Sequence, residues 1–129
     1  MMEKVLQQIT STLRTIHADS FYGMNRKKTI KYPYLTYSVA VEPTGDRNQE
    51  NYILDIDLFG NGTSALSVVK LEEKLKDALK FRRNLTTDLN LIYSFGSSMD
   101  VPTLVPDLHR RNITFNVKVD ERTKNYGTS

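Results

Sequence analysis

The segment Lys31–Gly60, KYPYLTYSVAVEPTGDRNQENYILDIDLFG, decides how the chain is read. After Pro33, the apolar residues Leu35, Tyr37, Val39 and Val41 alternate with Thr36, Ser38 and Ala40, the period-two pattern of a strand with one apolar face. Proline suits the mouth of such a strand, because it lacks the amide proton that an interior ladder uses. EPTGDRNQEN (42–51) is rich in turn formers and predicts a hairpin loop. Tyr52, Leu54, Ile56 and Leu58 then alternate with Ile53, Asp55, Asp57 and Phe59, and the two aspartates mark the outer face of a second strand.

Toward the N-terminus, Leu6, Ile9, Leu13 and Ile16 recur at spacings of three and four, the stripe of an amphipathic helix over 2–17. The basic connector Asn25–Lys31 links it to the hairpin. Toward the C-terminus, GNGTS (60–64) predicts the end of the second strand and a helix start capped by Thr63 or Ser64. Val68, Leu71, Leu75, Ala78 and Leu79 form the buried stripe of a helix over 65–82, with Glu72 and Lys76 paired on its wet side. Alternation returns over Leu89–Phe95 and Ile113–Val119, separated by the apparent loop GSSMDVPTLVPDLHRR (96–111). The order α-β-β-α-β-β predicts an α+β fold of two layers, a four-stranded antiparallel or mixed sheet with both helices on one face. Residues 1–120 are expected to form one domain and 121–129 a flexible tail.

Composition narrows the chemistry. A chain of 129 residues that is 39% hydrophobic and 26% charged is apolar enough to bury a core. It has no cysteine, which excludes disulfides, thiol catalysis and Cys-ligated zinc, and two histidines cannot make a His-rich metal site. MMEKVLQQITSTLRTIH (1–17) lacks the apolar run of a signal peptide or membrane span, so a cytoplasmic site of action, with no membrane partner, is expected. The triplets at Asn61, Asn84 and Asn112 match the glycosylation acceptor, but such a chain does not meet that machinery. A net charge of +3 is mild for a dedicated DNA-binding domain. The excess is local, with Arg26, Lys27 and Lys28 as the candidate basic contact.

Few residues converge on a reaction. Asp55 and Asp57 lie two apart on one strand face and are candidates for a divalent cation, with Glu42 and Lys118 as the further groups that a small metal-dependent nuclease would need. An Asp-x-Asp on a wet strand face is far more often simply soluble surface. Asp107 and His109 suggest an acid–base pair, yet no motif positions a nucleophile beside them. The glycines of GNG (60–62) have a turn role and lack the lysine of a nucleotide loop. Seven tyrosines against five phenylalanines leave Tyr32 and Tyr34, at the strand entrance, as candidates for packing or for a subunit contact. No cofactor is implied.

The segments YPYLTYS (32–38), YILDIDLFGNG (52–62), ALSVVKLEEKLKDAL (65–79) and PDLHRRNITFNVKV (106–119), in this order, resemble the tail-terminator family of long-tailed bacteriophages over residues 3–120. The resemblance implies a tail-completion, or head-to-tail joining, protein of the virion that is not an enzyme. It implies a ring of this chain, six copies in the common case, that caps the tail tube protein and docks on the head-closure or connector protein. DNA would be met only as it traverses the channel. A neighbouring neck component, such as a head-closure or minor capsid protein, is the alternative. The family supplies regions rather than matched residues, so the candidate interface rests on the long charged loops: Asp46, Arg47 and Glu50, and Asp107, His109 and Arg110, together with Tyr32 and Tyr34. Asp55 and Asp57 are the candidate channel-facing residues.

Overall fold

A computed structural model describes residues 1–45 and 48–122. Helix α1 (Met2–Ile16) is followed by strands β1 (Ser20–Tyr22), β2 (Tyr34–Pro43) and β3 (Gln49–Asn61). Helix α2 (Leu66–Leu79) and strands β4 (Arg83–Leu85), β5 (Leu89–Val101) and β6 (Leu108–Glu121) complete the chain. All six strands form one sheet in the order β1-β2-β3-β6-β5-β4. The β1–β2 pair is parallel and every other pair is antiparallel.

This corrects the four-stranded sheet and the α-β-β-α-β-β order: the fold is α+β with six strands and the order α-β-β-β-α-β-β-β. The two additional strands have three residues each, too short for an alternation to declare itself. A second correction concerns 96–111, which is mostly strand. β5 continues to Val101 and β6 begins at Leu108, leaving a connection of 102–107. A bulge between Phe95 and Ser97 hides the continuation. Before it, the odd-numbered residues Leu89, Leu91 and Tyr93 face the helices; past it, Ser98 and Asp100 do, through their bonds to Glu72 and Arg111. The apolar rhythm therefore breaks where the strand does not. Gly96 occupies the bulge because a Cβ there would lie 2.8 Å from Thr114 Oγ1 and 3.0 Å from its carbonyl oxygen. The first hairpin loop likewise shrinks from 42–51 to 44–48, since Glu42 pairs with Asn51 and Pro43 with Glu50 in the ladder.

One face of the sheet carries the core. Leu35 and Tyr37 of β2, Tyr52, Leu54, Ile56 and Leu58 of β3, Ile113, Phe115, Val117 and Val119 of β6, and Leu89, Leu91 and Tyr93 of β5 are all buried. They meet Val5, Ile9, Leu13 and Ile16 of α1 and Val68, Leu71, Leu75 and Leu79 of α2. Gly60 lets α2 start close against β3, for a Cβ there would lie 2.4 Å from Val68 Cγ2. Ala65, rather than Thr63 or Ser64, occupies the N-cap, although Ser64 Oγ accepts the Leu66 N–H at 3.1 Å. The buried tyrosine hydroxyls have partners: Tyr37 shares a hydrogen bond with Thr10, and Asn84 donates to Thr12 Oγ1 and to Tyr93 Oη. That buried asparagine ties β4 to both α1 and β5. His17, at the C-cap of α1, bonds through Nε2 to the Pro33 carbonyl oxygen, which places the helix end against the entrance to β2.

Phe115 sits at the centre of the β6 face with 1% exposure. Phe115→Ala should lower stability by about 3–5 kcal/mol through the cavity it leaves, read from urea unfolding. A loss below about 1 kcal/mol would mean that the central strands do not pack as described.

Candidate assembly surfaces

The sheet face turned away from the helices brings Asp55 and Asp57 together with Asn112 and Arg110. The register sets Asp55 beside Thr114, Asp57 beside Asn112 and Phe59 beside Arg110. Asn112 donates its side-chain amide to Asp55 Oδ1 at 2.5 Å and to Asp57 Oδ1 at 3.1 Å. The Arg110 guanidinium reaches Asp57 Oδ2 at 3.1 Å and lies over the Phe59 ring, 5.4 Å from its centroid. The two carboxylates are thus held by an amide and a cation of the same chain. Glu42 is engaged elsewhere by Asn51, whose neighbour across the ladder is Lys118. Among the described residues no group of three His, Cys, Asp or Glu side chains converges as a metal site requires.

Beside this cluster an aromatic ledge crosses three strands. Tyr34 stacks on Phe59 with centroids 4.8 Å apart, Phe21 meets Tyr34 edge-on at 6.2 Å, and Tyr32 lies 5.5 Å from Tyr34. Lys27 sits over Phe21 at one end and Arg110 over Phe59 at the other. Burial, with the Tyr32 hydroxyl nearby, raises the Tyr34 hydroxyl above its ordinary value. Tyr32 and Tyr34 therefore pack within the subunit and still present edges to solvent, while Arg26, Lys27 and Lys28 are exposed.

The remaining loop candidates divide. Asp46 and Arg47 lie outside the described residues. Glu50 accepts the Tyr52 hydroxyl at 2.8 Å. Asp107 has φ +62°, and its carbonyl oxygen accepts the Gly62 N–H, while His109 Nε2 bonds to the Gly62 carbonyl oxygen at 2.9 Å. Asp107 and His109 thus fasten the 102–107 connection to the turn before α2, each through the backbone of Gly62.

A charged cluster on the helix side was not foreseen. Glu72, only 7% exposed, faces the sheet rather than solvent. It receives Arg111 Nε at 2.6 Å, Lys76 Nζ at 3.2 Å and the Ser98 hydroxyl at 3.1 Å. Arg111 extends a second bond to Asp100. Burial alone pushes the Glu72 carboxyl up, but the hydrogen bonds from Arg111, Lys76 and Ser98 together outweigh it and hold the group below its ordinary value of 4.5. The signal was present in the sequence: Glu72 falls between Val68, Leu75 and Leu79 on the inner stripe, and Arg111 continues the inward alternation of Ile113 and Phe115 by one step.

The sheet margins are half covered. β1 pairs only with Leu35–Tyr37 of β2, and β4 only with Asn90–Ile92 of β5. The outer sides of Ser38–Pro43 and Ser94–Val101 have no ladder partner among the described residues. Exposed apolar side chains gather near the second margin: Phe81 (82% exposed), Phe95, Met99 and Leu104. Phe81, Phe95, Lys76 and Lys80 line an open groove of about 400 Å³ there.

Three outcomes follow from the charged clusters. Glu72 has a lowered folded-state value, so its contribution is complete above pH 4.5 and is lost as the pH falls through that lower value. Unfolding of Glu72→Gln should accordingly show a shallower loss of stability on acidification, and Arg111→Leu should cost about 3 kcal/mol at neutral pH by leaving Glu72 short of its main partner. Arg110→Glu sets a third carboxylate beside Asp55 and Asp57, and should lower stability by about 1 kcal/mol in urea titrations, less at high salt.

No family model and no curated protein matches this chain. Several solved structures resemble it. A chain from the virion of a native gene transfer agent particle superposes with a TM-score of 0.67, covering 90% of this chain and 91% of its own at 15% identity. A second solved chain superposes with a TM-score of 0.53, covering 93% of this chain and 97% of its own at 12% identity. The six-stranded, two-helix fold of this chain is thus one also found in the virion of a gene transfer agent particle.

Proposed function

We propose that this chain is a structural subunit of a phage-like particle, and within it the ring that closes the tail tube and joins it to the head, the role of a tail terminator. The observation that carries the reading is the near end-to-end likeness of fold to a chain of a gene transfer agent virion. The character of the surface supports it. The charged clusters at Asp55, Asp57 and Arg110 and at Glu72 and Arg111 are closed within the subunit, whereas among the described residues both sheet margins retain backbone without a ladder partner. Such margins suit a protein completed by neighbours. A heterologous contact repeated around an axis closes into a ring and limits itself without further regulation.

On this reading the chain is not an enzyme and takes no cofactor. Its partners are other copies of itself, six in the ring, the tail tube protein on one side and the head-closure or connector protein on the other. The open sheet face bearing Asp55 and Asp57 turns toward the channel, where DNA passes. The basic segment with Arg26, Lys27 and Lys28 and the ledge of Tyr32 and Tyr34 lie together beside β1 and are available to a docking partner. The protein resides in the virion neck after assembly in the host cytoplasm.

Tails assembled without this chain separate the possibilities in electron micrographs. Overlong, uncapped tubes are expected for a terminator. Tubes of normal length that fail to join heads would instead assign a neighbouring neck role. Particles complete and infectious without it would end the structural reading altogether.

A further inference from the structure

The half-covered margins match each other in three independent ways. The first is direction: β2 and β5 run oppositely within the sheet, since β2–β3, β3–β6 and β6–β5 are each antiparallel. A second copy that continues the sheet with its helices on the same side therefore sets its β2 antiparallel to β5.

The second is length and place. Among the described residues, the open part of β2 is Ser38–Pro43, and that of β5 is Ser94–Val101. β1 covers the N-terminal end of β2, and β4 covers the N-terminal end of β5. In an antiparallel pairing with Ala40 opposite Met99, β1 falls beyond Val101 and β4 beyond Pro43, so neither short strand obstructs the other margin.

The third is the alternation of backbone groups. The Leu35 N–H bonds to Asp19 and the Tyr37 carbonyl oxygen to Gly23, so the odd-numbered residues of β2 direct their main chain outward, and Val39 and Val41 follow. On β5 the Tyr93 N–H bonds outward to Arg82, and the bulge at Gly96 transfers the outward direction to Ser98 and Asp100. The same pairing brings Val41 opposite Ser98 and Val39 opposite Asp100, outward groups to outward groups, with all four side chains on the helix face.

We infer that the subunit contact is strand addition between copies, with Ser38–Pro43 of β2 in one subunit pairing antiparallel with the Gly96–Val101 edge of β5 in the next. This rests on the ring reading above and specifies where its interface lies. The exposed Met99 is then covered by the row containing Ala40, and the groove beside Phe81 and Phe95 faces α1 of the neighbour.

The chain contains no cysteine, so Ala40→Cys with Met99→Cys provides a clean test. Within one subunit β3 and β6 intervene between the two positions, roughly 14 Å at ordinary strand spacing, and no internal disulfide can form at that distance. The doubly substituted chain, oxidised at high concentration or on tail tubes, should give covalent multimers on denaturing gels; either single variant should not give multimers beyond a dimer. Val41→Pro, which removes an outward N–H, should weaken self-association roughly tenfold, whereas Val41→Ala should not, with both checked for folding by circular dichroism. Assemblies that form but yield only monomers from the double variant would overturn this pairing and leave the ring intact. A protein that neither self-associates nor binds tube ends would overturn both.

Discussion

The antiparallel ladder between β3 and β6 is the constraint on which the rest of the molecule depends. It joins Gln49 to Asp120 and Asn61 to Leu108 without a break in register, so the middle of the chain is bound to its end along the full length of both strands. A pairing so distant in sequence must overcome a large loop-closure entropy, and it does so through the fully buried row of Tyr52, Leu54, Ile56 and Leu58 against Ile113, Phe115, Val117 and Val119. Once that ladder exists, the remaining strands can only add at its two sides and the helices only on its apolar face. The alternate residues of the same two strands, Asp55, Asp57, Arg110 and Asn112, are delivered together to the other face by the pleat.

The residues that could be read in advance are those whose burial follows one period for several turns or pleats. The stripe of α1, the inner row of α2 and the central halves of β2, β3, β5 and β6 all meet that condition. What escaped reading fails it for specific reasons. β1 and β4 are too short to show a period. The far half of β5 exchanges apolar residues for Ser98 and Asp100, because it faces an ion cluster instead of leucines. Glu72 looked like half of an ordinary exposed pair with Lys76, and that pair does exist, but its main partner is thirty-nine residues away on β6.

The loop candidates show the same limit. A charged residue in a long apparent loop reads as a contact point for another molecule. Arg110, Glu50 and His109 each already have a partner within the subunit, and only the register of the sheet reveals it. The features that point outward are instead backbone features. No side chain announces the open margin of β2 or β5, since main-chain donors and acceptors are the same for every residue but proline. Assembly through them is legible from topology and invisible to residue type.

The single extra residue at Gly96 has an effect beyond its own turn. It resets the handed alternation of β5, so that everything downstream to Val101 is read in the opposite phase from everything upstream. Loss or gain of one residue in the 102–107 connection only changes a tether. The same edit at Gly96 would rotate Ser98 and Asp100 away from Arg111, turn Met99 inward and exchange the sides of the outer strand, all without altering any other letter of the chain. The spatial grammar of this margin hangs on one comma.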